Sequence, residues 1–200
     1  MITEGLLLRH CQGQRMFRDG ALIDIAQDHA LHLLHNAGLF DLGLVFKGGT
    51  ALRKFRLGTA GRFSTDLDFA VGEQGLAELL FERLHGASVD GFTFTVEQLV
   101  PARRALLRIE SAFGSPTIPA RIDITHELPW LPPDLIDPIA MPVHRAYGIP
   151  LRPTAVIRLE ELLAEKLARY RAIAWHAIST TSPGSARVRL TKRSCAAWRY

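Results

Sequence analysis

LVFKGGTALRKFRLGTAGRFSTDLDFAV, residues Leu44 to Val71, is the stretch from which the fold is read. Leu44, Val45 and Phe46 form a short apolar strand that stops at Gly48-Gly49, and a helix is expected to begin near Thr50. Paired glycines let the backbone turn sharply and admit another group where a Cβ would stand. Thr50 is a favoured N-cap residue, and the free N–H groups at the positive end of a new helix suit a phosphate. A second glycine-marked loop, Gly58 to Gly61, leads into Arg62-Phe63-Ser64-Thr65-Asp66-Leu67-Asp68-Phe69. Alternate side chains of a strand share a face, so Asp66 and Asp68 point one way and Leu67 and Phe69 the other. Two carboxylates backed by two core hydrophobes are a donor set for a hard cation shared with substrate phosphates. Without chemistry, the same residues are a glycine turn and a charged edge strand.

On the N-terminal side, Asp19 or Gly20 to Ala37 has helical periodicity, with Leu22, Ile25, Ala26, His29, Leu33 and Ala37 at steps of three and four and Gly38 as the stop. His29, His32 and His35 lie on this helix, but without a partnering carboxylate or cysteine they read as surface or core-edge residues. On the C-terminal side, residues 74–86 read as a helix, followed by strand-like runs Phe92 to Val96, Arg104 to Ser111 and Ala120 to Thr125. In the last of these Ile122 and Ile124 face one side and Arg121, Asp123 and Thr125 the other, which puts a third carboxylate on a strand that would not otherwise favour it.

Nine of the eleven prolines fall between Pro116 and Pro153, so residues 126–153 cannot be a continuous helix or a central strand. They read as an extended connection, with Trp130 and Tyr147 as candidates to pin it to the body. A last helix runs from Arg158 to about Ala174, with Leu159, Leu162, Leu163, Leu167 and Tyr170 along one stripe. Lys166 stands on that stripe where another apolar residue is expected; taken alone it is a lysine whose stem packs while its ammonium reaches water.

The charge is distributed unevenly. The 200 residues carry a net charge of +4, yet from Lys166 onward there are eight Lys or Arg and no Asp or Glu. The preceding 165 residues hold sixteen basic against twenty acidic side chains. A basic end of this kind suits phosphate backbones or an acidic partner, and equally a merely solvated tail. Cys11 and Cys195 are the only cysteines, which excludes a disulfide framework and a cysteine-based zinc site. No run approaches the length of a membrane span and no signal peptide is visible, so a cytoplasmic location without membrane contact is expected.

G-G-T-x-L followed by R-x-S-x-D-x-D resembles the AbiEii/AbiGii (MenT-type) nucleotidyltransferase toxins of the polymerase-β-like superfamily. Either motif alone is weak, but their order and spacing together are specific. The resemblance covers about residues 20–172 and implies an α+β (α/β mixed) fold, a mixed β-sheet flanked by helices with a C-terminal helical part. On that basis the chain divides into a nucleotidyltransferase core over 1–125, a Pro-rich connection over 126–153 and a helical, basic part over 154–200.

The resemblance implies a magnesium- (or manganese-) dependent transfer of a nucleoside monophosphate from an NTP to the 3′ end of tRNA. Asp66, Asp68 and Asp123 would be the metal-binding and catalytic carboxylates. Lys47, Gly48, Gly49, Thr50, Arg53 and Ser64 would bind the nucleotide, with Lys54 nearby. EELLAEKLARYR resembles the helix that brings an active-site lysine, here Lys166, to the phosphates. Arg169, Arg171, Arg187, Arg189, Lys192 and Arg193 are the candidate RNA contacts. A cognate antitoxin is implied as partner, a kinase acting on the toxin being one form it would take. The R-D-x-x-D segment that family members carry soon after the lysine helix has no counterpart, and no Asp follows Asp137. Two other readings fit the motifs: nucleotidylation of a protein or small molecule, and a catalytically weak nucleotide- or RNA-binding module.

Overall fold

Leu67 and Phe69 alternate with Asp66 and Asp68 along one strand, and that alternation fixes the two sides of the sheet. In the computed structural model, which describes residues 2–12 and 18–180, Leu67 and Phe69 are fully buried while both aspartates reach solvent. The helices are α1 (Glu4–His10), α2 (Arg18–Asn36), α3 (Gly48–Leu52), α4 (Gln74–Leu84) and α5 (Leu159–Thr180). The strands are β1 (Val45–Lys47), β2 (Asp66–Ala70), β3 (Ser88–Val89), β4 (Phe92–Val100), β5 (Arg104–Ser111), β6 (Gly114–Thr125), β7 (Asp134–Ile136) and β8 (Thr154–Val156). A π-helical turn, Arg53–Leu57, and a 3-10 turn, Gly58–Ala60, continue α3 toward the loop before β2.

The eight strands form one mixed sheet in the order β3-β4-β5-β6-β2-β1-β8-β7. β2 runs parallel to β6 and β1 parallel to β8, and the other neighbours are antiparallel. The inward residues of β2, β4, β5 and β6, among them Phe69, Phe94, Leu107 and Ile122, pack with Leu22, Ile25 and Leu34 of α2 and Leu80 and Leu84 of α4. A smaller cluster of Val45, Ala70, Ile157 and Leu162 closes the sheet near the start of α5.

β6 starts at Gly114, earlier than the expected Ala120, and contains Pro116 and Pro119. β2 pairs only with residues 121–125 of β6, so both prolines stand where the strand has one neighbour and the missing N–H costs no second ladder. The proline-rich connection also contributes β7, placed on the sheet's edge. It is tied to the body by Ile139 N–H donating to the Lys54 carbonyl at 2.9 Å and Tyr147 Oη donating to Asp28 Oδ2 at 2.6 Å. Trp130 does not pin it: its side chain is 93% exposed, and the backbone N–H groups of Trp130 and Leu131 are held by Glu161 at 2.7 and 3.0 Å.

The chain divides into a compact unit over Met1–Leu162 and a second that begins at Leu163. Among the described residues, no helix is long and apolar enough to cross a membrane.

Candidate active site

The two sequence motifs meet residue against residue. Gly48 has φ +79°, a conformation L side chains rarely adopt, and a Cβ there would overlap the Asp68 carboxylate. A Cβ on Gly49 would come within 3.1 Å of Ser64 Oγ. Thr50 Oγ1 donates to the Asp66 carbonyl at 2.5 Å. The G-G-T turn is therefore fitted against S-x-D-x-D position by position.

This corrects the reading of Thr50. α3 begins two residues earlier, with Lys47 at the N-cap position, and Thr50 is fully buried inside the helix. Its hydroxyl fastens α3 to β2 and does not cap a free helix end. Lys47 lies opposite Asp68 in the β1–β2 register and is itself nearly buried.

The parallel register of β2 and β6 sets Asp68 opposite Asp123 and Asp66 opposite Arg121. Neighbouring strands are about 4.8 Å apart, so all three aspartates occupy one small area of the open face. Arg121 Nε donates to Asp66 Oδ1 at 3.3 Å and Arg104 Nε donates to Asp123 Oδ1 at 2.5 Å. Among the described residues no three His, Cys, Asp or Glu side chains already converge as a cation site. In kind the donor set suits a hard cation: three carboxylates on one face of two neighbouring strands, two of them held by exposed arginines rather than by buried partners.

Arg53 and Lys54, expected at the nucleotide, do not reach the open face of the turn. Both are buried, at 2% and 1% exposure, and point back into the core toward α2. Arg53 donates to Asp24 Oδ1 at 2.9 Å and Oδ2 at 3.3 Å and to the carbonyls of Gly58 and Gly61, and lies 4.3 Å over the Phe63 ring. Lys54 Nζ donates to the Asp24 carbonyl and to Asp28 Oδ1, both at 2.7 Å. His10 Nε2 is 2.8 Å from Asp24 Oδ2. Burial alone would raise the Asp24 carboxyl; Lys54, His10 and Arg53 together hold it well below the usual range. Asp28 is lowered despite the same burial, by Lys54 and His144. Burial and the neighbouring Asp28 push the Tyr147 hydroxyl well above its ordinary value.

These groups set the loop that carries Ser64, since Arg53 gathers Gly58, Gly61 and Phe63 and Gln27 Nε2 donates to the Ser64 carbonyl at 3.0 Å. The sequence reading missed Asp24, Gln27 and Asp28. They sit off the apolar stripe of α2, but the helix is buried on nearly all sides from Gly20 to Leu31. The one available clue was pairwise: two aspartates four residues apart on a helix, and two adjacent cations in the apolar string Ala51 to Phe55.

His29 is buried between the Ile25 carbonyl (2.9 Å) and Asp90 Oδ2 (3.1 Å), His32 meets Asn36, and His35 meets Thr154 Oγ1 at 2.9 Å. Lys166, Arg169 and Arg171 lie on α5 in the unit beginning at Leu163, Lys166 half-buried and the arginines exposed. Arg187, Arg189, Lys192 and Arg193 lie outside the described residues.

Residues 32–179 match the family described as nucleotidyl transferase AbiEii toxin, type IV toxin–antitoxin system. Among solved structures the chain is similar to MenT4, nucleotidyltransferase toxin Rv2826c from Mycobacterium tuberculosis H37Rv, at 43% identity and a TM-score of 0.81. That similarity covers 86% of this chain and 60% of MenT4, so the chain spans about three-fifths of its relative's length. A putative nucleotidyltransferase from H. pylori (20% identity, TM-score 0.43, 70% of this chain and 58% of that one) is more distant. So is JHP933 from Helicobacter pylori (16%, 0.44, 72% and 56%). No curated protein matches the chain.

Proposed function

The chain belongs to the AbiEii nucleotidyl transferase toxin family, and from that premise we propose that it is the toxin of a toxin–antitoxin pair that transfers a nucleoside monophosphate from an NTP to RNA. The observation that carries this reading is the open face on which Asp66, Asp68 and Asp123 stand together beside the Gly48-Gly49 turn. The acceptor is the 3′ end of tRNA, whose modification blocks aminoacylation and translation in the cytoplasm, and a cognate antitoxin restrains the reaction.

Such transfer depends chiefly on positioning and charge neutralisation. The acceptor hydroxyl oxygen bonds to the α-phosphorus as the bond to the bridging β-oxygen breaks, and pyrophosphate leaves with that electron pair. Asp123 takes the hydroxyl proton on a carboxylate oxygen. Mg2+ or Mn2+, held by Asp66, Asp68 and Asp123, would supply charge neutralisation at the transferred phosphoryl. Lys47, Gly48, Gly49 and Ser64 line the triphosphate side, and Lys166 neutralises it as a point charge. Arg169, Arg171, Arg187, Arg189, Lys192 and Arg193 hold RNA. Thr50 and Arg53 act at one remove, by fixing β2 and the Ser64 loop.

Incubation with labelled NTPs and total RNA, with and without Mg2+, tests the reading: label should enter RNA only with Mg2+. Label in protein or small molecules would favour the rival acceptors, and RNA binding without label a non-catalytic module. Lys166→Ala should raise KM for NTP while RNA binding stays unchanged; unaltered NTP kinetics would remove Lys166 from the site.

A further inference from the structure

Arg104 and Arg121 stand beside the carboxylates, each in an exposed cross-strand ion pair. Their side chains are 53% and 57% exposed, in contrast to Arg53, which is sealed in the core. Exposed ion pairs of this kind add little to stability. The strand order places them on a definite flank: β1 and the Gly48-Gly49 turn lie on one side of β2, and β6 and β5, which carry Arg121 and Arg104, on the other. At about 4.8 Å per strand, Arg121 is one strand and Arg104 two strands beyond the Asp66–Asp68 pair. With the nucleotide's phosphates on the glycine side, this flank is open to the second substrate. Guanidinium forks match the oxygens of a phosphodiester.

We propose that Arg104 and Arg121 form a phosphate subsite for the RNA acceptor, their guanidinium groups exchanging Asp123 and Asp66 for phosphate when a divalent cation takes those carboxylates. This rests on the nucleotidyltransferase reading above and adds to it the acceptor's docking flank and an exchange of partners. RNA and cation binding are coupled, because the carboxylate that a cation takes is the one that holds the arginine's Nε.

The test uses the full chain with Arg104→Gln and Arg121→Gln combined, bulk tRNA as the RNA probe and Mn2+ as the cation, each measured by direct binding. tRNA affinity should fall in the presence of Mn2+, and the slope of log affinity against log salt should shrink by about 0.7–0.9 per arginine. Mn2+ should bind more tightly to the variant, since its competitors for the carboxylates are gone. At saturating Mn2+, KM for NTP should not rise. Arg108→Gln is the control: it removes the same charge from β5, but from a residue paired with Glu97 at 2.9 Å. An unchanged tRNA slope would overturn the subsite, as would an equal loss in the Arg108 variant or a raised NTP KM with tRNA binding intact. Unchanged Mn2+ affinity would overturn the exchange. Failure of the wild-type protein to label RNA counts against the proposed function, whereas labelling by a wild type whose arginine variant binds tRNA normally counts against the subsite alone.

Discussion

Gly48 is where backbone conformation and chemistry are hardest to separate, because it has both a positive φ and a carboxylate where a Cβ would stand. Gly43 allows the two to be distinguished, since its φ is +95° with nothing within 4 Å of the Cβ position. Gly43→Ala should show only the conformational cost, about 1–2 kcal/mol. Gly48→Ala should lose more, by displacing Asp68, and should lose transfer as well; thermal unfolding and turnover of the pair check this. Equal losses in the two variants would mean that the Asp68 contact is incidental. The carboxylates themselves behave differently. Asp66→Ala and Asp68→Ala should each abolish Mg2+-dependent transfer, and Asp66→Ala should move stability by less than about 1 kcal/mol, because its pair with Arg121 is exposed. Transfer that survives either substitution would remove that residue from the site.

At the scale of elements, the structure couples α2 to the turn that follows α3. Asp24 is buried with Arg53, Lys54 and His10 around it, so removing one partner leaves charge in the core uncompensated. Arg53→Met should therefore cost about 3–5 kcal/mol and loosen the Gly58–Gly61 loop, seen by denaturant unfolding and by amide exchange in that loop. A variant that unfolds like the wild type would make the network ornamental. Much of the surrounding frame was legible beforehand. The Asp66–Asp68 alternation, the Gly38 stop of α2 and the alternation of Ile122 and Ile124 are local signals, each set by backbone geometry a few residues long. What was not legible depended on distant partners. Arg53 and Asp24 are 29 residues apart, and a cation beside a glycine turn reads as a phosphate ligand until the helix that buries it is in place. Thr50 misled for the same reason: a hydroxyl suited to capping found a strand carbonyl 16 residues away.

The whole molecule should respond to acid in two stages, each set by a different link between α2 and the rest of the chain. His35 on α2 meets Thr154 Oγ1 of β8 at 2.9 Å and stacks on Phe40 with ring centroids 4.2 Å apart. Burial, and then the charge of Arg152, push it down to about 4; Asp41 opposes this and His32 adds to it. His32 is itself lowered, first by burial. The unfolded chain holds a proton on histidine below about pH 6.5, whereas folded His35 takes one only near 4. Between these values the unfolded state binds more protons, so stability must fall as the pH is lowered through that window. Asp24 and Asp28 act further down. Their carboxyls are lowered in the folded protein, so their contribution is complete above the ordinary carboxylate value of about 3.9 and is lost as the pH falls below it. His35→Gln should accordingly flatten the fall in Tm between pH 6.5 and 4, leaving the smaller part due to His32, and should not alter the steep loss below 4. A Tm profile in which the variant tracks the wild type through the upper window would show that His35 is not the group that titrates.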